Sequence, residues 1–369
     1  MRIVMDCRSL RKKPAGVPNF LISFINAFAS LQPGHELWLV SNEAFHPENA
    51  KRINTLPNTK ILISPLKPFG KIAIIWYLIK LPWLVGKIKP EYFYTPIPNL
   101  PLWLPSNVKT LITVHDMVFK QFPETMSSIN WWINFFLHDH SIRKANRIWT
   151  VSDYTKKEVE QRFPHRAAPS IFAGSSIDKE TFVPVTLSQT KRAEMLSRYQ
   201  LGEKFILFVG TLEPRKNLAF LISLMPSLAE HGYSLLIVGS KGWGADQHAM
   251  PQNLPEGKVR FSGFVTTQEL VKLYCVADVY VSTALNEGFG LPQLEAMSCG
   301  CPVVSPHNSA MIEVVEGAGE TVKGWQAQQW IDTILKVSKE RDRYILQGLE
   351  RASQYDWGSL VKELMAYLH

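Results

Sequence analysis

The chain has 369 residues, 46% of them hydrophobic and 20% charged, with a formal net charge of +8. That length exceeds one typical core and predicts two domains, while the composition excludes a disordered or fibrous chain. A positive balance suits an anionic ligand, a membrane surface or nucleic acid. The longest basic cluster is only Arg11-Lys12-Lys13 and no zinc-finger spacing occurs, so no nucleic-acid partner is expected.

In chain order, short apolar runs read as strands at 2–6, 36–40, 60–64, 91–95, 110–116 and 147–152, then again at 205–210, 234–239, 259–263, 278–283 and 302–305. Helical patterns separate most of them, including Asn217–His231 and Gln268–Val276. Apolar strands alternating with helices predict parallel sheets covered on both faces. Two such blocks predict an α/β chain of two doubly wound, Rossmann-like domains. The strand rhythm lapses into a polar stretch near 180–200. The expected division is 1–182 and 183–353. The residues from about 354 to 369 form a fresh amphipathic helix, with Trp357, Leu360, Leu364 and Leu368 near helical spacing.

The N-terminus reads as a first strand rather than a leader, and no apolar run approaches the ~20 residues of a spanning helix. Cys7, Cys275, Cys299 and Cys301 show neither a disulfide framework nor a four-sulfur metal spacing. Reduced thiols, and hence a cytoplasmic setting, are expected.

In open parallel sheets ligands collect beyond the carboxyl ends of the strands, so the informative residues follow each strand. After 205–210 comes Thr211-Leu212-Glu213-Pro214-Arg215-Lys216-Asn217. A forked guanidinium and a mobile ammonium in a strand-to-helix turn suit a diphosphate, although a solvated basic loop has the same composition. After 278–283 comes Asn286-Glu287-Gly288-Phe289-Gly290-Leu291-Pro292-Gln293-Leu294-Glu295. Glycines there admit a ligand to the backbone, and Pro292 suits a helix start. Glu287 and Glu295 read as a catalytic pair, as hydroxyl acceptors or as ordinary helix residues. In the first half, His115 and Asp116 end a very apolar strand, and Gly16 opens a helix. No three-glycine dinucleotide fingerprint and no Asp-x-Asp metal clamp occurs.

Taken jointly, "GTLEPRKN", the stretch from Gly263 to Asp278, and "NEGFGLPQLEAMSCGCPVV" with its spacing from Glu287 to Glu295 resemble retaining glycosyltransferases of family 4, which have the GT-B fold. "VHD" at 114–116 and "SDYTKKEV" at 152–159 are similar to family segments too. The resemblance implies two Rossmann-like domains facing across a cleft, the first for the acceptor and the second for a nucleotide-sugar donor, with the last helix packing back on the first. It implies that Arg215 and Lys216 bind the donor diphosphate, in a donor site that includes Thr211. Glu287 would hold the transferred sugar with the backbone of Gly288, Phe289, Gly290 and Leu291, and Glu295 would accept the ribose hydroxyls. His115 would lie close to the reacting sugar, Gly16 would leave room near the phosphates, and the backbone of Phe264 and Val265 would meet the base. The resemblance further implies metal-independent transfer without a cofactor, from GDP-mannose in preference to UDP-glucose, to a glycan or lipid-linked acceptor of surface polysaccharide. Ala173 stands before Gly174 where the family usually has asparagine.

Two stretches rich in tryptophan, 71–89 and 129–137, read either as interfacial helices on an anionic leaflet, placing the protein peripherally on the inner membrane face, or as helices packed on the first sheet; packing is the expectation for 71–89. The rival functions are a sugar-nucleotide epimerase on the same scaffold and a non-catalytic carbohydrate-binding protein.

Overall fold

The computed structural model describes residues 1–14, 16–66, 75–117, 128–240 and 257–369, with the backbone alone for 128–135. The chain divides into two units: residues 1–176 with 356–369, and residues 177–355.

In the first unit, β1 (Arg2–Asp6), β2 (Glu36–Ser41), β3 (Thr59–Ile63), β4 (Tyr92–Thr95), β5 (Lys109–Val114), β6 (Arg147–Thr150) and β7 (Ile171–Ala173) form one sheet in the order β3-β2-β1-β4-β5-β6-β7. Every pairing in it is parallel. The strands inside the sheet have both faces buried, which is why they read as continuous apolar runs, whereas the edge strand β3 leaves Ile61 and Ile63 exposed. On one face the helix Leu81–Ile88 packs Leu81, Leu84, Val85 and Ile88 into a core with Val4, Phe93, Ile112 and Ile148. On the other, the helix Gly16–Leu31 brings Phe20 and Phe24 within 5.0 and 4.9 Å of the Trp149 ring.

The helix Trp357–Leu368 closes that second face. Trp357, Leu360, Leu364 and Leu368 are all buried, and the Trp357 ring lies 5.4 Å from Phe20 and 6.4 Å from Trp149. Asp356 caps the helix by accepting the Ser359 amide at 2.7 Å. Gly174, with φ +154°, leaves space for Leu360, whose Cδ1 would stand 2.4 Å from a Cβ there. Gly174→Ala should cost about 1–3 kcal/mol by crowding this helix, measured as a lower denaturation midpoint. An unchanged midpoint would show that Leu360 swings aside and that the backbone at 174 relaxes out of its positive φ.

In the second unit, β8 (Lys204–Val209), β9 (Tyr233–Val238), β10 (Val259–Gly263), β11 (Val279–Val281), β12 (Val303–Pro306) and β13 (Glu320–Val322) form a parallel sheet in the order β10-β9-β8-β11-β12-β13. Residues 177–182 belong with it: the Ser298 hydroxyl donates to the Phe182 carbonyl at 2.6 Å, and Lys179 donates to the Ser353 carbonyl at 2.8 Å.

Two strands, β7 and β13, are absent from the sequence reading; each is three residues long, too short to register a period. The helix expected over Asn217–His231 is two, Leu218–Ser223 and Met225–Glu230. Pro226 explains the break, since it has no amide to continue the ladder. Among the described residues no helix is long and apolar enough to cross a membrane. Of 71–89, residues 71–74 lie outside the described set, as do the Trp131, Trp132 and Phe135 side chains of 129–137.

Candidate active site

In the second sheet the strand order reverses between the neighbours β8 and β11. Loops leaving these two strands diverge in opposite directions, which opens a crevice at their carboxyl ends. Arg215 and Lys216 leave β8 in a single turn of 3₁₀ helix, Pro214–Lys216, ended by Asn217 with φ +49°. Glu287 leaves β11 in an extended loop that stops at the helix Leu291–Ser298, where Gly290 takes φ +109°.

The two loops are tied to each other by hydrogen bonds to main-chain carbonyls. The Leu285 amide donates to the Arg215 carbonyl at 2.8 Å, and the buried Thr283 hydroxyl donates to the carbonyls of Lys216 and Asn217 at 3.0 and 3.1 Å. Fixed backbones then fix the side chains. Arg215 Nη1 donates to Glu287 Oε2 at 3.2 Å, and Lys216 Nζ donates to Glu287 Oε1. The Arg215 Nε edge is held from the other side by Glu213 Oε2 at 2.9 Å. These side chains are 22%, 9%, 14% and 18% exposed for Arg215, Lys216, Glu287 and Glu213, so water screens the pairs weakly.

Burial works to raise the Glu287 carboxyl, yet the charges of Lys216 and Arg215 and their hydrogen bonds hold it below its ordinary range. It is therefore ionised throughout the neutral range. Its main chain is anchored as well: the Glu287 amide donates to Ser309 Oγ at 3.1 Å.

Glu295 is half-buried in the helix that follows, and Tyr274 donates its hydroxyl to Glu295 Oε2 at 3.0 Å. Burial, then the Glu295 charge, push the Tyr274 phenol well above its usual value, so it remains a donor. Gly288, Phe289 and Gly290 are buried, and Leu291 opens the helix half-buried. Gln293, fully buried behind Gly290, donates to Ser305 Oγ at 3.2 Å. Thr211 is half-buried just beyond β8.

The floor of the crevice is a tight lacing of strand ends. The Gly210 amide donates to the Val238 carbonyl at 2.9 Å, and the Gly239 amide donates to the Gly263 carbonyl at 3.0 Å. Phe264, 48% exposed, and half-buried Val265 follow β10.

Gly16 and His115 lie in the first unit. His115 sits just past β5, its Nε2 2.8 Å from the Pro96 carbonyl and its ring edge-on to Phe20 at 5.0 Å. Burial lowers its pKa against the opposing pull of Pro96 and Asp116, so the imidazole is neutral at pH 7. A Cβ on Gly16 would meet nothing within 4 Å. At the end of β1, Arg8 grips Asp6 with two nitrogens and lies 3.8 Å over the Tyr77 ring.

Sequence reasoning missed Glu213 and Tyr274 as partners of the candidate residues. Glu213 could have been found, since it shares a turn with Arg215; Tyr274 lies a strand and a loop away from Glu295. Among the described residues no three His, Cys, Asp or Glu side chains gather as a metal site. All four cysteines are free thiols.

This geometry can hold polyols and anions. Ionised carboxylates accept hydroxyls, and a guanidinium and ammonium at a strand end meet phosphate oxygens.

Comparison with known proteins gives the same picture. The family described as "Glycosyl transferases group 1" matches residues 195–351. The O-antigen chain mannosyltransferase B of Escherichia coli is 31% identical over 278 residues, covering 72% of this chain and 71% of that protein. The serotype-specific mannosyltransferase WbdA of Escherichia coli is 27% identical over 228 residues, which cover 60% of this chain but only 27% of that longer protein. Among solved structures, sucrose-phosphate synthase from Thermosynechococcus elongatus superposes with a TM-score of 0.75 at 18% identity, covering 99% of this chain and 97% of that one. Anabaena HepE in complex with UDP-glucose superposes with a TM-score of 0.73 at 18% identity, covering 100% and 99%. The likeness to these two structures establishes the GT-B fold, and the sequence relationship to the O-antigen chain mannosyltransferase B establishes the family: the chain is a glycosyltransferase and belongs to the group 1 glycosyl transferases.

Proposed function

We propose that the protein is a retaining, family 4 mannosyltransferase that moves mannose from GDP-mannose to a glycan or lipid-linked acceptor during synthesis of a surface polysaccharide, on the cytoplasmic side of the membrane. The observation that carries it is the Arg215–Glu287–Lys216 cluster at the switch point of the second sheet. The choice of mannose is supported by relatives named as mannosyltransferases, among them a GDP-mannose-dependent enzyme of Mycobacterium tuberculosis that is 27% identical over 235 residues.

In this reading Arg215 and Lys216 turn from Glu287 toward the donor diphosphate and stabilise the charge that builds on it as the glycosidic bond breaks. Glu287 then accepts hydroxyls of the transferred sugar, helped by the amides from Gly288 to Leu291, and Glu295 accepts those of the ribose. Thr211 lies beside the phosphates, and the backbone of Phe264 and Val265 meets the base. Glu287 and Glu295, each occupied with hydroxyls, are not placed as nucleophiles, which favours front-side displacement over a covalent glycosyl intermediate. The leaving diphosphate would take the acceptor proton. His115, kept neutral by burial, would meet the reacting sugar, and Gly16 would leave room near the phosphates. Transfer would need no metal and should survive a chelator.

A melting-point panel of GDP, UDP and their sugars tests the donor, since a ligand that binds the native state raises the apparent midpoint. GDP and GDP-mannose should give the largest rise; a larger rise with UDP-glucose would replace mannose by glucose. Arg215→Ala should weaken nucleoside diphosphate binding by about 10- to 100-fold, the worth of a charge-assisted bond, and leave nucleoside binding nearly unchanged. Equal losses for the two ligands would make Arg215 a structural residue.

A further inference from the structure

The helix Leu81–Ile88 buries one face completely, yet its other face carries Trp83 at 50% exposure, with Ile79 one turn earlier at 61%. Beside it runs the segment after β4. The Tyr77 hydroxyl donates to the Asn99 carbonyl at one end of this contact. At the other, a Cβ on Gly86 would stand 3.4 Å from Pro105 Cγ. Leu102 and Trp103 lie between those two contacts along the chain. They are 61% and 52% exposed. Four large apolar side chains are thus exposed on two segments that touch, a costly arrangement unless something covers them.

Charge indicates what covers it. The ammonium groups of Lys80 and Lys87 reach over the Trp83 ring at 4.4 and 5.4 Å. Neither 75–90 nor 96–108 contains an aspartate or glutamate. Tryptophans flanked by lysines, with no carboxylate among them, suit the boundary between anionic headgroups and acyl chains. There the indoles sit at headgroup depth and the lysine stems extend toward phosphate. A protein partner would more commonly ask for mixed charge around an apolar centre.

We propose that Ile79, Trp83, Leu102 and Trp103, with Lys80 and Lys87, form a docking face for an anionic bilayer surface. The contact is peripheral, because the helix Leu81–Ile88 keeps its buried face in the core of its own unit. It stands apart from the donor reading, since it concerns where the enzyme works and not which sugar it moves.

Flotation of the full chain with vesicles of phosphatidylglycerol and phosphatidylcholine, against vesicles of phosphatidylcholine alone, tests this directly. The wild type should float with the anionic vesicles and remain below with the neutral ones. Lys80→Ala and Lys87→Ala should each weaken partitioning about fivefold, the effect expected of one lysine near an anionic surface. The double variant Trp83→Ala/Trp103→Ala should lower it by at least about tenfold. These side chains are half-exposed, so the variants should keep the wild-type melting point and nucleotide-induced shift, which separates lost docking from lost folding. Equal flotation on both vesicle types, no flotation of the wild type, or wild-type flotation of the double tryptophan variant would each overturn the proposal. A change in oligomeric state of that variant without vesicles would assign the face to a second copy and overturn it as well.

Discussion

Glu287→Ala should lower transfer by about 100-fold or more, with the loss mostly in kcat. The carboxylate makes two jobs possible at once. It positions Arg215 and Lys216 before the donor arrives, and in the proposed reading it holds the transferred sugar afterwards. One charge-assisted hydrogen bond is worth about 1.5–3 kcal/mol, which alone spans about 10- to 150-fold in rate. Removal of the carboxylate also leaves the Lys216 ammonium, 9% exposed, without its ion-pair partner Glu287. A half-broken buried pair is more damaging than no pair, so the melting point should fall too. Glu287→Gln separates the two effects: it keeps the shape and part of the hydrogen bonding but not the charge. Its activity should remain far below wild type, with a smaller loss of stability. Full turnover by either variant would remove Glu287 from the site.

The second large effect concerns the floor of the crevice. Gly239 has φ +152°, and a Cβ there would lie 1.9 Å from the Gly210 carbonyl oxygen and 2.7 Å from its carbon. Both obstacles are backbone, and that backbone is already fixed by the Gly210 amide bonding to Val238. Unlike Leu360 beside Gly174, a main-chain carbonyl cannot rotate out of the way. Gly239→Ala should therefore cost roughly 3 kcal/mol, from a disfavoured conformation of about 1–2 and forced repacking of about 1–3. Chemical denaturation would show it as a lower midpoint for the second unit. The displaced Gly210–Thr211 turn should weaken nucleotide binding as well. Wild-type stability in this variant would mean that the strand ends can separate freely.

Much of this architecture is legible in the residues because parallel strands, buried on both faces, must be apolar throughout. The strands before Thr211 and before Leu285 are of this kind, and the loops that follow them carry the polar residues of the site. The pairing of Arg215 and Lys216 with Glu287 is not legible, because those residues are joined by the strand order and not by spacing. Seventy-one or seventy-two positions separate them, and only the adjacency of β8 and β11 brings them together. The Tyr274 bond to Glu295 is hidden for the same reason. Pro226 marks the break between Leu218–Ser223 and Met225–Glu230, which the apolar period running through both helices conceals.

The first unit is assembled from two separated stretches of chain, and this sets an order on its synthesis. When residues 1–176 have left the ribosome, Phe20, Phe24 and Trp149 still lack the Trp357 ring that completes their cluster. Residues 177–355 emerge next as a continuous piece and can reach their native packing first. Phe20 touches both Trp357 and His115. The surroundings of that histidine are therefore completed only after Trp357–Leu368 has been translated, so a nascent chain can hold a finished second unit while its first is still open.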